Sequence, residues 1–143
     1  MRFVPLLLLC FLAACNQQPR QNEPAANALK ALHKLQAATQ VGVSYEQYGT
    51  LVIEAKAQVN EANRSLPTSD LQQQINQAMD AYTDAGQVWS EKLKGHQSFA
   101  GYTEPGISWK KKYSLPNDDV NAAMQAMWNA ADDHVRIAEG LMQ

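Results

Sequence analysis

The sequence predicts an all-α fold, an up-down antiparallel four-helix bundle with a long loop between helices three and four. Three observations lead there. Apolar residues recur at steps of three and four in four separate stretches. No run of five or more residues outside one loop alternates apolar with polar, so strands have little support. The links between the first three stretches are short, which makes their helices antiparallel neighbours.

Helix one is expected over 25–41, with Leu29, Leu32 and Leu35 on one side and Gly42 as its stop. Helix two opens at Ser44, a capping residue with Gln47 three positions on, and Val43 can staple to Tyr48. Its stripe is Tyr45, Tyr48, Val52, Ala55, Val59, Ala62 and Leu66, and Pro67 ends it. Helix three opens at Ser69, again with a glutamine, Gln72, in the capping-box position. Leu71, Ile75, Ala78, Tyr82, Ala85 and Trp89 form its stripe. Lys92, Lys94 and Gly95 make a C-terminal signature. Helix four follows Asn117 as its cap, with Asp118 and Asp119 facing the helix dipole. It carries Val120, Met124, Met127, Ala131, His134/Val135, Ala138 and Leu141 on one seam. The sustained three-four spacing favours shallow crossing angles. The connection 95–117 is far longer than the two to eight residues usual in a bundle. It is expected either to carry function or to pack across the bundle as a lid.

The first fifteen residues read differently. One arginine, the apolar run from Phe3 to Ala14 and small residues before Cys15 make a secretory signal, too short to span a membrane as a helix. Leu12-Ala13-Ala14-Cys15 resembles the lipobox of bacterial lipoproteins. That resemblance implies a signal peptide over 1–14 and a mature chain beginning at Cys15, acylated on its thiol and amine. Each buried methylene contributes about 0.8 kcal/mol, so two or three acyl chains hold a protein to a membrane where one does so marginally. Asn16, rather than aspartate, after the cysteine implies the outer membrane over the inner one in a two-membrane envelope, and the plasma membrane in a single-membrane organism. Residues 15–24 then form the lipidated cysteine and a polar tether, and 25–143 the bundle domain. The entry Gly42-Val43-Ser44-Tyr45-Glu46-Gln47-Tyr48 is similar to small helical bacterial lipoproteins, a resemblance that implies no activity.

Composition narrows the function further. Of the 143 residues, 12 are Lys or Arg and 14 Asp or Glu, a formal charge of -2. That balance argues against a nucleic-acid binder working by phosphate neutralisation. Neither cysteine lies beyond position 15, so the domain has no disulfide, thiolate zinc site or CxxC motif. The expected mature chain has 129 residues, of which 21 are Leu, Ile, Val or Phe, about 16%, near the compositional edge for disorder. Nineteen alanines, three tryptophans and five tyrosines offset this and suit closely spaced helices.

Candidate sites are few. Bundle metal sites use Glu-x-x-His pairs, and none of His33, His96 and His134 has a glutamate three residues earlier. Asp132 with His134 could act as metal ligands or an acid/base pair, but reads rather as a partly buried, hydrogen-bonded histidine beside solvated aspartates. Asp80, Asp84 and Glu91 have calcium-loop spacing, but Ala85 stands where the turn glycine is needed, so they read as an acidic helix face. Ser108-Trp109-Lys110-Lys111 matches a bare Ser-x-x-Lys without its companion motifs. Within the long loop, Trp109, Lys110, Lys111, Lys112 and Tyr113 place three cations between two aromatics. This is a candidate contact surface for anionic lipid or an acidic partner, set against a solvated run whose rings pack down. Tyr82, Trp89 and Trp128, with Tyr45 and Tyr48 nearby, are candidates to line a small-molecule pocket at one end of the core.

The expectation is a non-enzymatic interaction module of the bacterial envelope, held at a membrane by lipid on Cys15 and contacting a protein partner or membrane through 95–117. No cofactor beyond that lipid is expected. The alternative is a small-molecule-binding bundle with 95–117 closing as a lid over Tyr82, Trp89 and Trp128.

Overall fold

The computed structural model describes residues 23–143, and the chain there is all-helical. The lipobox and Cys15 lie outside the described residues. Five helices follow in order: α1 (Glu23–Val41), α2 (Tyr45–Ser65), α3 (Asp70–Leu93), α4 (Gly106–Lys112) and α5 (Val120–Met142). The described residues hold no strand, only an isolated bridge between Ser98 and Asp119. No helix among them is long and apolar enough to cross a membrane.

Local chemistry accounts for most of the boundaries. Gly42, at φ +94°, takes the left-handed conformation that ends α1 cheaply. Ser44 closes a full capping box, its Oγ accepting from the Gln47 N–H at 3.2 Å and its own N–H donating to Gln47 Oε1 at 3.4 Å. Ser69 caps α3 by accepting from the Gln72 N–H at 3.3 Å. The Gln72 side chain does not return to the cap. It donates instead to the Asn63 carbonyl at 3.3 Å, tying α3 to the end of α2.

Three expectations change. Helix α1 begins at Glu23, so Glu23 and Pro24 belong to the first turn rather than to the tether; proline is well tolerated there because its missing N–H would have no helical partner. The cap of the last helix is Asp119, not Asn117: Asp119 Oδ1 accepts from the Ala122 N–H at 2.7 Å. Asn117 supports it one step earlier, accepting from the Asp119 N–H at 3.1 Å. Asp119 wins because its backbone is held extended by the bridge to Ser98, the geometry a cap residue needs. The long connection also contains a helix of its own, α4, too short for any periodicity to register.

Contacts join α1 to α2, α2 to α3 and α3 to α5, with α1 also touching α3 and α5. Two apolar clusters result. The larger holds Leu32, Leu35, Tyr48, Ile75, Tyr82 and Val135 among many fully buried alanines. Alanine at these contacts lets helix axes approach closely, and each fully buried Leu or Ile contributes about 1.5–3 kcal/mol. The smaller packs Phe99, Trp109 and Leu115 from the long connection against Val88, Val120, Met124 and Met127. Apart from Tyr48 and Tyr82, whose hydroxyls are hydrogen-bonded, no polar or charged residue is wholly buried among those described. Leu141, expected on the core seam, is 48% exposed, and the next residue, Met142, packs against the core in its place.

Candidate functional site

The 95–117 connection is a structured cap. Its base is closed where the Phe99 N–H donates to the Asp118 carbonyl (3.0 Å) and the Val120 N–H to the Gln97 carbonyl (3.1 Å). Phe99 and Trp109 meet edge to face, ring centroids 5.7 Å apart, and both are buried. Two glycines allow the chain to close on itself. A Cβ on Gly101 would overlap the Asp118 carboxylate, and one on Gly106 would overlap the Ala100 carbonyl. Between them the Glu104–Pro105 peptide is cis.

Within this cap the five expected contact residues divide. Trp109 is core. Tyr113 packs against both clusters and donates its hydroxyl to Asp84 Oδ2 at 2.6 Å. Burial, then the Asp84 carboxylate, pushes its phenol above the ordinary tyrosine range. Lys112 reaches the same oxygen at 2.9 Å and lies 5.0 Å from the Tyr113 ring centre. Asp84, expected only as part of an acidic face, is therefore the anchor that holds the cap to α3. Lys110 lies 2.7 Å from Asp118 Oδ1, a buried oxygen it meets as a charge contact off hydrogen-bond angle. That carboxylate holds the Lys110 ammonium above its ordinary value. Lys111 is exposed and has no ion pair among the described residues. The outward face adds two residues that sequence reasoning missed, Tyr102 at 86% exposure and Ile107 at 48%. Nothing local marked them, since their exposure depends on which side of the cap Phe99 and Trp109 bury.

The aromatic candidates do come together. Trp89 and Trp128 meet edge to face at 5.7 Å, Tyr48 lies 5.4 Å from Trp89 and 6.1 Å from Trp128, and Tyr45 reaches Trp89 at 5.7 Å. Inside, Trp128 Nε1–H donates to the Tyr48 hydroxyl (3.2 Å), which donates to the Tyr82 carbonyl (2.6 Å). The Tyr82 hydroxyl donates to Asp132 Oδ1 at 2.7 Å. Burial is the main reason the phenols of Tyr48 and Tyr82 are both pushed above the ordinary range. Tyr82 is wholly buried and lines neither cleft beside the cluster. One cleft, of about 320 Å³, opens between the α1–α2 link, α3 and α5, and is walled by Trp89, Trp128 and Met124. No residue of 95–117 lines it; the cap forms the wall of a separate cleft with Phe99, Pro105 and Trp109.

The histidines are dispersed. His134 Nδ1 lies 2.7 Å from Gln74 Oε1, and burial lowers its pKa. Asp132 is engaged by Tyr82 instead, so the two do not form a pair. His33 bridges to Glu139 at 2.7 Å and His96 to Glu91 at 2.8 Å. Among the described residues no three of His, Cys, Asp and Glu gather where they could hold a metal ion. Asp80, Asp84 and Glu91 stand on continuous helix, but only Asp80 is exposed: Asp84 is covered by the cap and Glu91 pairs with Lys94 and His96.

The chain matches no protein-family model, no curated protein and no solved structure.

Proposed function

We propose that this is a lipid-anchored protein of the bacterial envelope whose helical domain presents the 95–117 cap to a protein partner, without catalysis of its own. In this reading residues 1–14 are a signal peptide and Cys15 carries the lipid. The four long helices run up and down, and the outer membrane is the favoured site. No nucleic acid and no cofactor beyond the lipid take part.

The observation that carries the proposal is the construction of the cap. It is tied down at Asp84, Asp118 and the 97–120 bridge, yet turns Tyr102, Ile107 and Lys111 outward. A tied-down surface carrying an exposed aromatic, an aliphatic and a cation suits recognition, because little loop entropy remains to be lost on binding. The separate partners of Asp132 and His134 support a non-catalytic reading.

The position of the cap favours a protein over the anchoring membrane. Helix α1 has 19 residues and is therefore about 28 Å long. Thr39, Gly42 and Val43 at its far end line the same cleft as Lys92 and Asn121, next to the ends of the cap. Eight residue steps from Cys15 to Glu23 extend at most about 28 Å. The tether therefore joins the described chain at the end of α1 opposite the cap, and in this reading a bundle standing on that tether turns the cap away from the membrane.

A photo-crosslinking residue at Tyr102 in the native host should give a discrete adduct, while the same residue at Gln58, an exposed position on α2, should not. Equal or absent adducts at both positions would refute the cap as the contact surface. For the anchor, Cys15→Ser should move the protein from the membrane to the soluble fraction, and continued membrane fractionation would refute lipidation.

A further inference from the structure

The cleft beside the two tryptophans pairs aromatic walls with a charged rim. Its walls are Trp89, Trp128 and the buried Met124, with Val43 from the α1–α2 link. At about 320 Å³ it is at the lower end of small-molecule sites. The polar groups on its rim are lopsided. Lys92 brings a full positive charge, its ammonium 2.8 Å from Asn121 Oδ1, and no carboxylate lines the cleft. Lys92 has no ion pair among the described residues, whereas Lys94, two positions on, is paired with Glu91. The Trp128 indole N–H is used internally on Tyr48. That of Trp89 makes no hydrogen bond among the described residues and is not sealed from solvent. An unpaired positive charge at the rim of an aromatic cleft is satisfied by a ligand that brings an anionic acceptor and an apolar body.

We propose that the cleft between the α1–α2 link, α3 and α5 binds a small organic acid with a flat or short apolar body. The Lys92 ammonium takes the carboxylate, and the Trp89 and Trp128 rings with Met124 take the body. This site is independent of the cap. The Trp89–Trp128 contact holds its walls in place before the ligand arrives, and Asn121 holds the lysine at the rim.

The test uses the full chain and phenylacetate, read through the indole N–H signals of the tryptophans by heteronuclear NMR. The signals of Trp89 and Trp128 should shift and saturate at millimolar phenylacetate, with that of Trp109, buried under the cap, unmoved. Lys92→Gln should weaken binding at least about threefold, and phenethylamine, the same ring with the opposite charge, should bind at least about threefold more weakly. Lys111→Gln, on the cap, should leave the affinity unchanged. Failure of the Trp89 and Trp128 signals to saturate by about 20 mM would overturn the proposal. So would equal affinity in Lys92→Gln, or equal binding of phenethylamine. Because Lys92 is exposed, its substitution leaves the core intact, and the unshifted Trp109 signal serves as the check on folding.

Discussion

The Tyr48 hydroxyl donates to the main-chain carbonyl of Tyr82 at 2.6 Å, joining α2 to α3 through the interior of the bundle. The same oxygen accepts from Trp128 Nε1 at 3.2 Å, so one phenol links three helices. The site is otherwise apolar, which makes each of these bonds costly to leave unmade.

Tyr48→Phe keeps the ring packing and removes only the hydroxyl. It strands the Trp128 N–H and removes an acceptor's partner, a cost of about 1–3 kcal/mol. The urea midpoint should fall with the slope unchanged. A midpoint equal to the wild type would show that water replaces the phenol at no cost.

The glycines of the cap separate from those of the open helix surface. Gly106→Ala forces a methyl into the Ala100 carbonyl and should destabilise by about 1–3 kcal/mol, with loss of the near-ultraviolet signal of Trp109. Gly140→Ala, on α5 with nothing within 4 Å, should stabilise by about 0.5–1 kcal/mol through helix propensity. Equal effects at the two positions would contradict the close approach at Gly106.

Asp84→Ala removes the shared acceptor of Lys112 and Tyr113 and leaves the Tyr113 hydroxyl half-buried without its partner. Hydrogen exchange should accelerate in 95–117 while α1 and α2 keep their protection. Uniform loss of protection throughout the chain would mean that the cap and the bundle open as one unit.

Burial lowers the pKa of His134 below its ordinary 6.5, so folding favours its neutral form. The unfolded chain binds that proton more readily. The contribution is therefore fully present above about pH 6.5 and is lost as the pH falls through the lowered folded value. Glu91 acts in a lower window: Lys94, then His96, lower its pKa, so its contribution is present above 4.5 and fades below. His134→Gln should flatten the fall in stability just below pH 6.5 and leave the more acidic part intact. An unchanged profile between pH 5 and 7 would count against burial as the cause.

Local signals in the sequence determined much of this molecule. Ser44 with Gln47, Ser69, Gly42 and Gly95 fixed helix ends because caps and left-handed turns involve residues within a few positions of one another. The apolar stripes fixed which faces are buried, since one helical period is enough to define a face. Most of the tryptophan and tyrosine cluster was legible for the same reason: Tyr45, Tyr48 and Trp89 lie on those stripes, and Trp128 stands next to Met127 of the last one. Tertiary structure alone decided the rest. Lys112 and Tyr113 meet Asp84 across 28 and 29 residues, so no spacing in the sequence announces that two members of the basic cluster hold the cap down. Whether Trp109 is a contact residue or core, and whether Tyr102 faces out, depends on how a 23-residue connection folds back on α3 and α5. That is set by the close approach of Gly101 to Asp118 and by packing into a second apolar cluster, both of which depend on parts of the chain far apart in sequence.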